Sequence, residues 1–143
     1  MCYKLQGRLG MKDLKSETLQ IFEAGLGAAD PVHAVKSHLL LNTNSLLLGK
    51  HTYDLSRFQR IFVAGAGKAS AAMARAVEDT LGDRISAGFI NVKYGHSLKL
   101  EYVQINEAAH PIPDESGLLG AKKIVELAES SGEHDLIIFL ISG

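Results

Sequence analysis

The sequence has little that would commit the protein to the extracellular space, a membrane or a polyanion. Cys2 is the only cysteine among 143 residues, which excludes an internal disulfide and a cysteine-based zinc site. No apolar run approaches the ~20 residues that cross a bilayer, and the start lacks a signal-peptide core. The 15 basic and 16 acidic residues form no basic stripe. We therefore expect a cytoplasmic protein with neither a membrane nor a nucleic-acid partner.

Apolar residues are plentiful, at 46% of the chain, which is enough for one domain with a real core. Residues 1–12 show no clear periodicity, and we expect them to form a disordered lead. Helical spacing of apolar residues runs from 13 to 29, and Asp30 with Pro31 is typical of the start of a second helix. The domain is thus predicted over 13–143 and begins with a helical pair. The inward side of the second helix is predicted to hold Val32, Val35, Leu39 and Leu40.

Strands and helices alternate after this pair. The segment 42–56 indicates a small hairpin or an irregular connector. Beyond it, strands are predicted around residues 61–63, 85–93, 103–107 and 136–141, and helices over 69–81 and 115–130. This order predicts an α/β fold, a doubly wound, mostly parallel, Rossmann-like sheet.

The last predicted strand, 136–141, is wholly apolar, which is typical of a strand in the middle of a sheet. It is followed only by Ser142 and Gly143, although ligands of open α/β sheets bind in the loops after such strands. We therefore expect an incomplete domain, the front part of a longer protein.

A glycine turn with one lysine stands between the first strand of this sheet and its helix. Gly65 and Gly67 allow a sharp turn, and the alanine-rich segment after Lys68 is a strong helix former. The first N–H groups of a helix lack internal partners, and the helix dipole is positive there. Lys68 would add to this attraction, so the turn predicts a site for phosphate or carboxylate.

The same turn is compatible with other readings. Gly65, Gly67 and Ser70 reproduce a dinucleotide fingerprint, but the acidic residue expected about 20 residues later is missing. Lys93 and His96 stand there instead, which favours a phosphate or an acidic substrate and leaves an NADP-like site open. Alternatively, the glycines only permit tight packing and Lys68 is solvated.

Three further side chains are candidates for ligand contact. Lys93 and His96 follow a strand, where they either orient an anionic group or are simply exposed. His110 precedes Pro111 and faces the cleft or serves the turn. Asp114 is predicted to cap the helix that follows it.

Four motifs occur together in order: GAGKA at 65–69, VKYGH at 92–96, EAAHPIPDESG at 107–117 and the terminal LISG. From about residue 19 to 143, the chain resembles the glycerate 2-kinase family, whose members are often labelled hydroxypyruvate reductases. The resemblance implies a two-domain enzyme that uses ATP and a divalent metal, usually Mg2+, to convert D-glycerate to 2-phosphoglycerate. This chain would be its N-terminal portion and inactive alone.

The resemblance also implies roles for particular residues. It puts Lys68 of GAGKA in the active site, where an ammonium group would stabilise the transferring phosphoryl group. It matches Ser142 to the first serine of the family's phosphate loop. Two alternatives stay open: an NAD(P)H-dependent hydroxypyruvate reductase, or a non-catalytic binding fragment whose exposed sheet edge favours homo-oligomers.

Overall fold

The computed structural model describes residues 11–142, with side chains from Asp13 onward. Two compact units are distinguished, one up to Asp30 and one from Pro31. The described part of the first unit is α1 (Met11–Ala28), a helix whose large apolar side chains are exposed. The disordered lead is predicted over residues 1–12. Residues 1–10 of that segment lie outside the described part.

The second unit starts with α2 (Pro31–His38) and a small antiparallel sheet, β1 (Leu39–Asn42), β2 (Ser45–Leu48) and β3 (His51–Asp54). The predicted hairpin is thus present, with a third strand added. The helix prediction for Leu39 and Leu40 was wrong, because α2 ends at His38 and both leucines pair with β2. Leu39 is 2% exposed and Leu46 0%, so strand pairing buries both against the core.

A parallel four-stranded sheet forms the centre of this unit. Its strands are β4 (Arg60–Ala66), β5 (Ala87–Lys93), β6 (Val103–Ala108) and β7 (Asp135–Ile141), in the order β6-β5-β4-β7. The helices α3 (Ser70–Leu81) and α4 (Glu115–Glu129) connect them. The predicted mostly parallel α/β sheet is confirmed.

The two helices cover opposite faces of this sheet. Small residues of α3 pack against the face that carries Val63 and Ile90. On the other face, Lys123 of α4 lies over the Phe89 ring, 5.2 Å from its centroid. Alternate residues of a strand point to opposite faces, so the helices flank the sheet.

The expected central position of the last strand was wrong for the sheet described here. β7 pairs only with β4 and forms one edge, and Phe139 and Ile141 are 53% and 67% exposed. β4, between β5 and β7, carries the most deeply buried run instead, with Val63 and Ala64 at 0% exposure.

Candidate functional site

The predicted anion-binding turn follows β4. Gly67 has a φ of +119°, which only glycine adopts readily, and its N–H donates to the carbonyl of Asn91 at 3.0 Å. The N–H of Ser70 donates back to the Gly67 carbonyl at 3.2 Å. These bonds fix the turn between β4 and α3, which has the exposed residue Lys68 at its middle.

Gly65 and Ser70 have packing partners rather than a free surface. A Cβ atom on Gly65 would overlap the carbonyl oxygen of Leu140 in β7. The Ser70 side chain is fully buried, and its hydroxyl donates to the same carbonyl at 3.2 Å. Both residues therefore hold β4, α3 and β7 together, and direct ligand contact by either of them stays a prediction.

Ser142 occupies the start of α3. Its Oγ accepts a hydrogen bond from the N–H of Ala69 at 3.0 Å, and its own N–H donates to the Ala66 carbonyl at 3.1 Å. The hydroxyl thus satisfies one of the amides that an anion would otherwise meet. The backbone N–H of Lys68 has no hydrogen-bond partner among the described residues.

A cleft of about 220 Å3 lies at the carboxyl ends of β4, β5 and β6. It brings together four of the residues predicted from the sequence, Gly67, Lys68, Lys93 and His110. His96 is exposed and is not among the lining residues, and its N–H closes a turn onto the Lys93 carbonyl. The lining residues are Ala66, Gly67, Lys68, Asn91, Val92, Lys93, Ala108, Ala109, His110, Pro113 and Gly117.

Among the described residues, the cleft carries positive charge without an internal counter-charge. Neither the Lys68 nor the Lys93 ammonium group makes an ion pair or hydrogen bond with another described residue, and no carboxylate lines the cleft. Elsewhere in the described part, Arg60 pairs with Asp135 at 2.6 Å and Lys36 with Asp79 at 2.7 Å. Two unpaired lysines in one concave site favour an anionic ligand.

Sequence reasoning missed Asn91, which lines the floor of the cleft. Its Nδ2 donates to the Gly117 carbonyl at 3.1 Å, and its Oδ1 accepts from Asn106 Nδ2 at 2.7 Å. Asn106 Nδ2 also donates to the Ser116 carbonyl at 3.0 Å. This network anchors the first turn of α4 to β5 and β6. The signal in the sequence is an asparagine within the otherwise apolar strand that precedes Lys93.

The loop after β6 forms another wall of the cleft. As predicted, Asp114 caps α4, because its Oδ1 accepts from the N–H of Gly117 at 2.9 Å. This bond, with a further one from the Tyr94 hydroxyl, lowers the pKa of Asp114. Asp114 is thus a structural carboxylate, and His110 is the exposed titratable residue of this wall.

The described residues offer no metal site of their own. No group of three His, Cys, Asp or Glu side chains in this part of the chain comes close enough to hold a metal ion. A magnesium ion would therefore not fit a site built from these residues alone. Within the same part, no helix has the length and apolar character needed to span a bilayer.

Comparison with known proteins gives concordant matches. A family model described as domain of unknown function DUF4147 matches residues 17–143. Glycerate 2-kinase of Pyrococcus horikoshii is 32% identical over 92% of this chain and 29% of its own length. A putative hydroxypyruvate reductase of Agrobacterium vitis is 37% identical over 87% of this chain and 25% of its own.

A solved structure agrees with these sequence matches. The crystal structure of a glycerate kinase from Thermotoga maritima has a TM-score of 0.73 at 30% identity, covering 92% of this chain and 29% of that one. The chain thus spans less than a third of the length of these relatives. Because the family model matches most of the sequence, the chain belongs to the DUF4147 family, a glycerate kinase-type domain.

Proposed function

We propose that this chain is part of an ATP-dependent glycerate 2-kinase. The observation that carries the proposal is the pair of unpaired lysines, Lys68 and Lys93, in a cleft at the carboxyl ends of three parallel strands. Open α/β sheets bind ligands at this edge, and both substrates of such a kinase are anions. The names of the relatives from Pyrococcus and Thermotoga support the same activity.

The proposed reaction moves the γ-phosphoryl group of ATP to the 2-hydroxyl of D-glycerate. The bond between the γ-phosphorus and its bridging oxygen breaks, a bond to the hydroxyl oxygen forms, and ADP, 2-phosphoglycerate and a proton are released. Charge on the moving group is stabilised by fixed cations. We assign this role to Lys68, and assign Lys93 and His110 to holding the glycerate carboxylate or a phosphate.

ATP and its magnesium ion are part of the proposal rather than of the described site. Mg2+ neutralises phosphate charge, and it would be carried by the nucleotide, because these residues offer no ligand cluster. Since the chain spans 29% of the Pyrococcus relative, we propose that activity needs the longer protein and that the 143-residue chain alone is inactive.

The test compares two proteins, the product of the complete reading frame that encodes this chain and the 143-residue chain. ADP release from ATP is measured with D-glycerate and, as a control, with L-glycerate. Enolase is then added without phosphoglycerate mutase, so only 2-phosphoglycerate yields phosphoenolpyruvate. We expect two results from the complete protein and neither from the 143-residue chain. ADP release depends on D-glycerate, and addition of enolase then yields phosphoenolpyruvate.

A second candidate is a hydroxypyruvate reductase, favoured by the name of the Agrobacterium relative and by the Gly65, Gly67 and Ser70 pattern. Oxidation of NADH or NADPH by hydroxypyruvate, without ADP release from ATP and glycerate, would replace the kinase proposal with this one. Absence of both activities in the complete protein would refute both.

A further inference from the structure

Two loops that line the cleft are joined at its rim by a side-chain hydrogen bond. The hydroxyl of Tyr94 donates to Asp114 Oδ2 at 2.9 Å. Tyr94 follows Lys93 directly, and Asp114 follows Pro113, which lines the opposite wall. A second bond ties the same turn to β6, because the N–H of Gly95 donates to Glu107 Oε1 at 2.6 Å. The segment after β5 is thus held from two sides.

Backbone bonds also shape this turn. The N–H of His96 donates to the Lys93 carbonyl at 3.0 Å, and Gly95 has a φ of +77°, as the third position of a type II turn requires. The N–H of Tyr94 donates to the Ala108 carbonyl, which extends the pairing of β5 with β6. What the hydroxyl adds is a link between this turn and the cap of α4.

Tyr94 also contributes little to the core. It is 52% exposed, so loss of its hydroxyl removes one hydrogen bond at the surface and leaves the ring in place. Its partner Asp114 is held in turn by the N–H of Gly117, so the link ends on a fixed point. The bond to Asp114 raises the pKa of Tyr94 above its ordinary 10.0.

We propose that Tyr94 is a positioning residue that acts through its bond to Asp114 to hold Lys93 at the cleft, where Lys93 meets an anionic group of the substrates. This inference rests on the proposed kinase function. The anionic group is a carboxylate if it belongs to glycerate and a phosphate if it belongs to ATP. Holding the Lys93 backbone in place narrows the positions open to its ammonium group, which lowers the entropic cost of bringing that group to the anion.

The matched pair of variants is Tyr94→Phe and Tyr102→Phe. Both remove one hydroxyl, but the Tyr102 hydroxyl has no hydrogen-bond partner among the described residues and does not line the cleft. In the complete protein, Tyr94→Phe should raise the KM for either glycerate or ATP about 5- to 20-fold and change kcat by less than about twofold. This pattern is expected when a variant loses an interaction that the ground state and the transition state share. A change in the glycerate KM identifies the carboxylate, and a change in the ATP KM identifies the phosphate. Tyr102→Phe should change neither.

A double variant tests whether Tyr94 acts through Lys93. In a Lys93→Met background, Tyr94→Phe should have no further effect on that KM, because the group that it positions is gone. Full additivity of the two effects would overturn the proposal, as would unchanged constants for Tyr94→Phe alone.

A binding measurement, which needs no turnover, separates this inference from the proposed function. Inorganic phosphate is titrated into the 143-residue chain and followed by NMR. Tyr94→Phe should weaken the phosphate affinity several-fold and Tyr102→Phe should not. If the complete protein lacks kinase activity, the proposed function fails and this measurement decides the inference. Equal phosphate affinity in wild type and Tyr94→Phe would then overturn it.

Discussion

Glu78 is a carboxylate in α3 that is only 7% exposed. Its two oxygens accept from the N–H groups of Glu101, Tyr102 and Val103, at 2.7 to 3.1 Å. Glu107 has a different role, because its Oε1 accepts from the N–H of Gly95 and so ties the turn at Tyr94 to β6. The spacing of residues within a helix or strand predicts neither role, because the amides that these carboxylates accept from lie elsewhere in the chain. The sequence identified Lys68 and Lys93 because their motifs are local, and missed Glu78 and Asn91 because their contacts are not.

Replacing Glu78 with Ala should destabilise the fold. The change leaves three backbone donors before and within β6 without their acceptor in a site that is nearly closed to water. We expect the free energy of unfolding to fall by about 2–3 kcal/mol, since hydrogen bonds to charged groups are lost. Urea unfolding measures this, with exposed Glu101→Ala as the control. An equal effect of the two variants would contradict the assigned role.

At the scale of elements, the alternation of apolar runs and helix formers predicted the parallel sheet, α3 and α4 well. It failed at Leu39 and Leu40, because a short leucine run fits a helix or a buried strand equally, and pairing with β2 decides. It also predicted the wrong place for β7 in the described sheet, because an apolar run indicates that a strand can be buried and does not indicate its place in the strand order. The network beneath α4 was not predictable, because it depends on how closely that helix approaches the sheet.

Gly120 permits that close approach. A Cβ atom there would lie 2.7 Å from Asn91 Cγ and 2.8 Å from Asn106 Nδ2, both fixed by hydrogen bonds. Gly120→Ala should therefore lower the free energy of unfolding by about 1–2 kcal/mol, despite the better helix propensity of alanine. Gly117→Ala in the same helix is the control, as its added atom would meet nothing closer than 3.5 Å. Denaturant titration that ranks Gly120→Ala at or above wild type would refute this packing argument.

The ion pair between Arg60 and Asp135 joins the starts of β4 and β7. Hydrogen bonds from Arg60, and then from the Gly132 N–H, lower the pKa of Asp135 below its ordinary 3.8. A carboxyl with a lowered folded-state pKa stabilises the fold above its unfolded-state pKa and loses that contribution as pH falls through the folded value. Stability should thus drop on acidification from pH 4 downward. Urea midpoints across this range should fall less for Asp135→Asn than for wild type, and parallel falls would contradict the assignment.

At the scale of the whole molecule, the site is made by three loops that meet at one edge of the sheet. The turn with Lys68, the end of β5 with Lys93 and the loop with His110 come from separate motifs of the sequence. The parallel sheet predicted that these carboxyl ends would share an edge. It did not predict that His96 would be missing from the lining of the cleft or that Ser142 would bond to the start of α3.

The measurement that tests the account most directly is the turnover of Lys68→Ala in the complete protein. Lys50→Ala is the matched control, an exposed lysine in the turn between β2 and β3. With saturating ATP and D-glycerate, loss of a cation that stabilises the moving phosphoryl group should lower kcat about 10²- to 10³-fold, and Lys50→Ala should leave it unchanged. A Lys68→Ala enzyme that turns over at the wild-type rate would remove this cleft from the reaction.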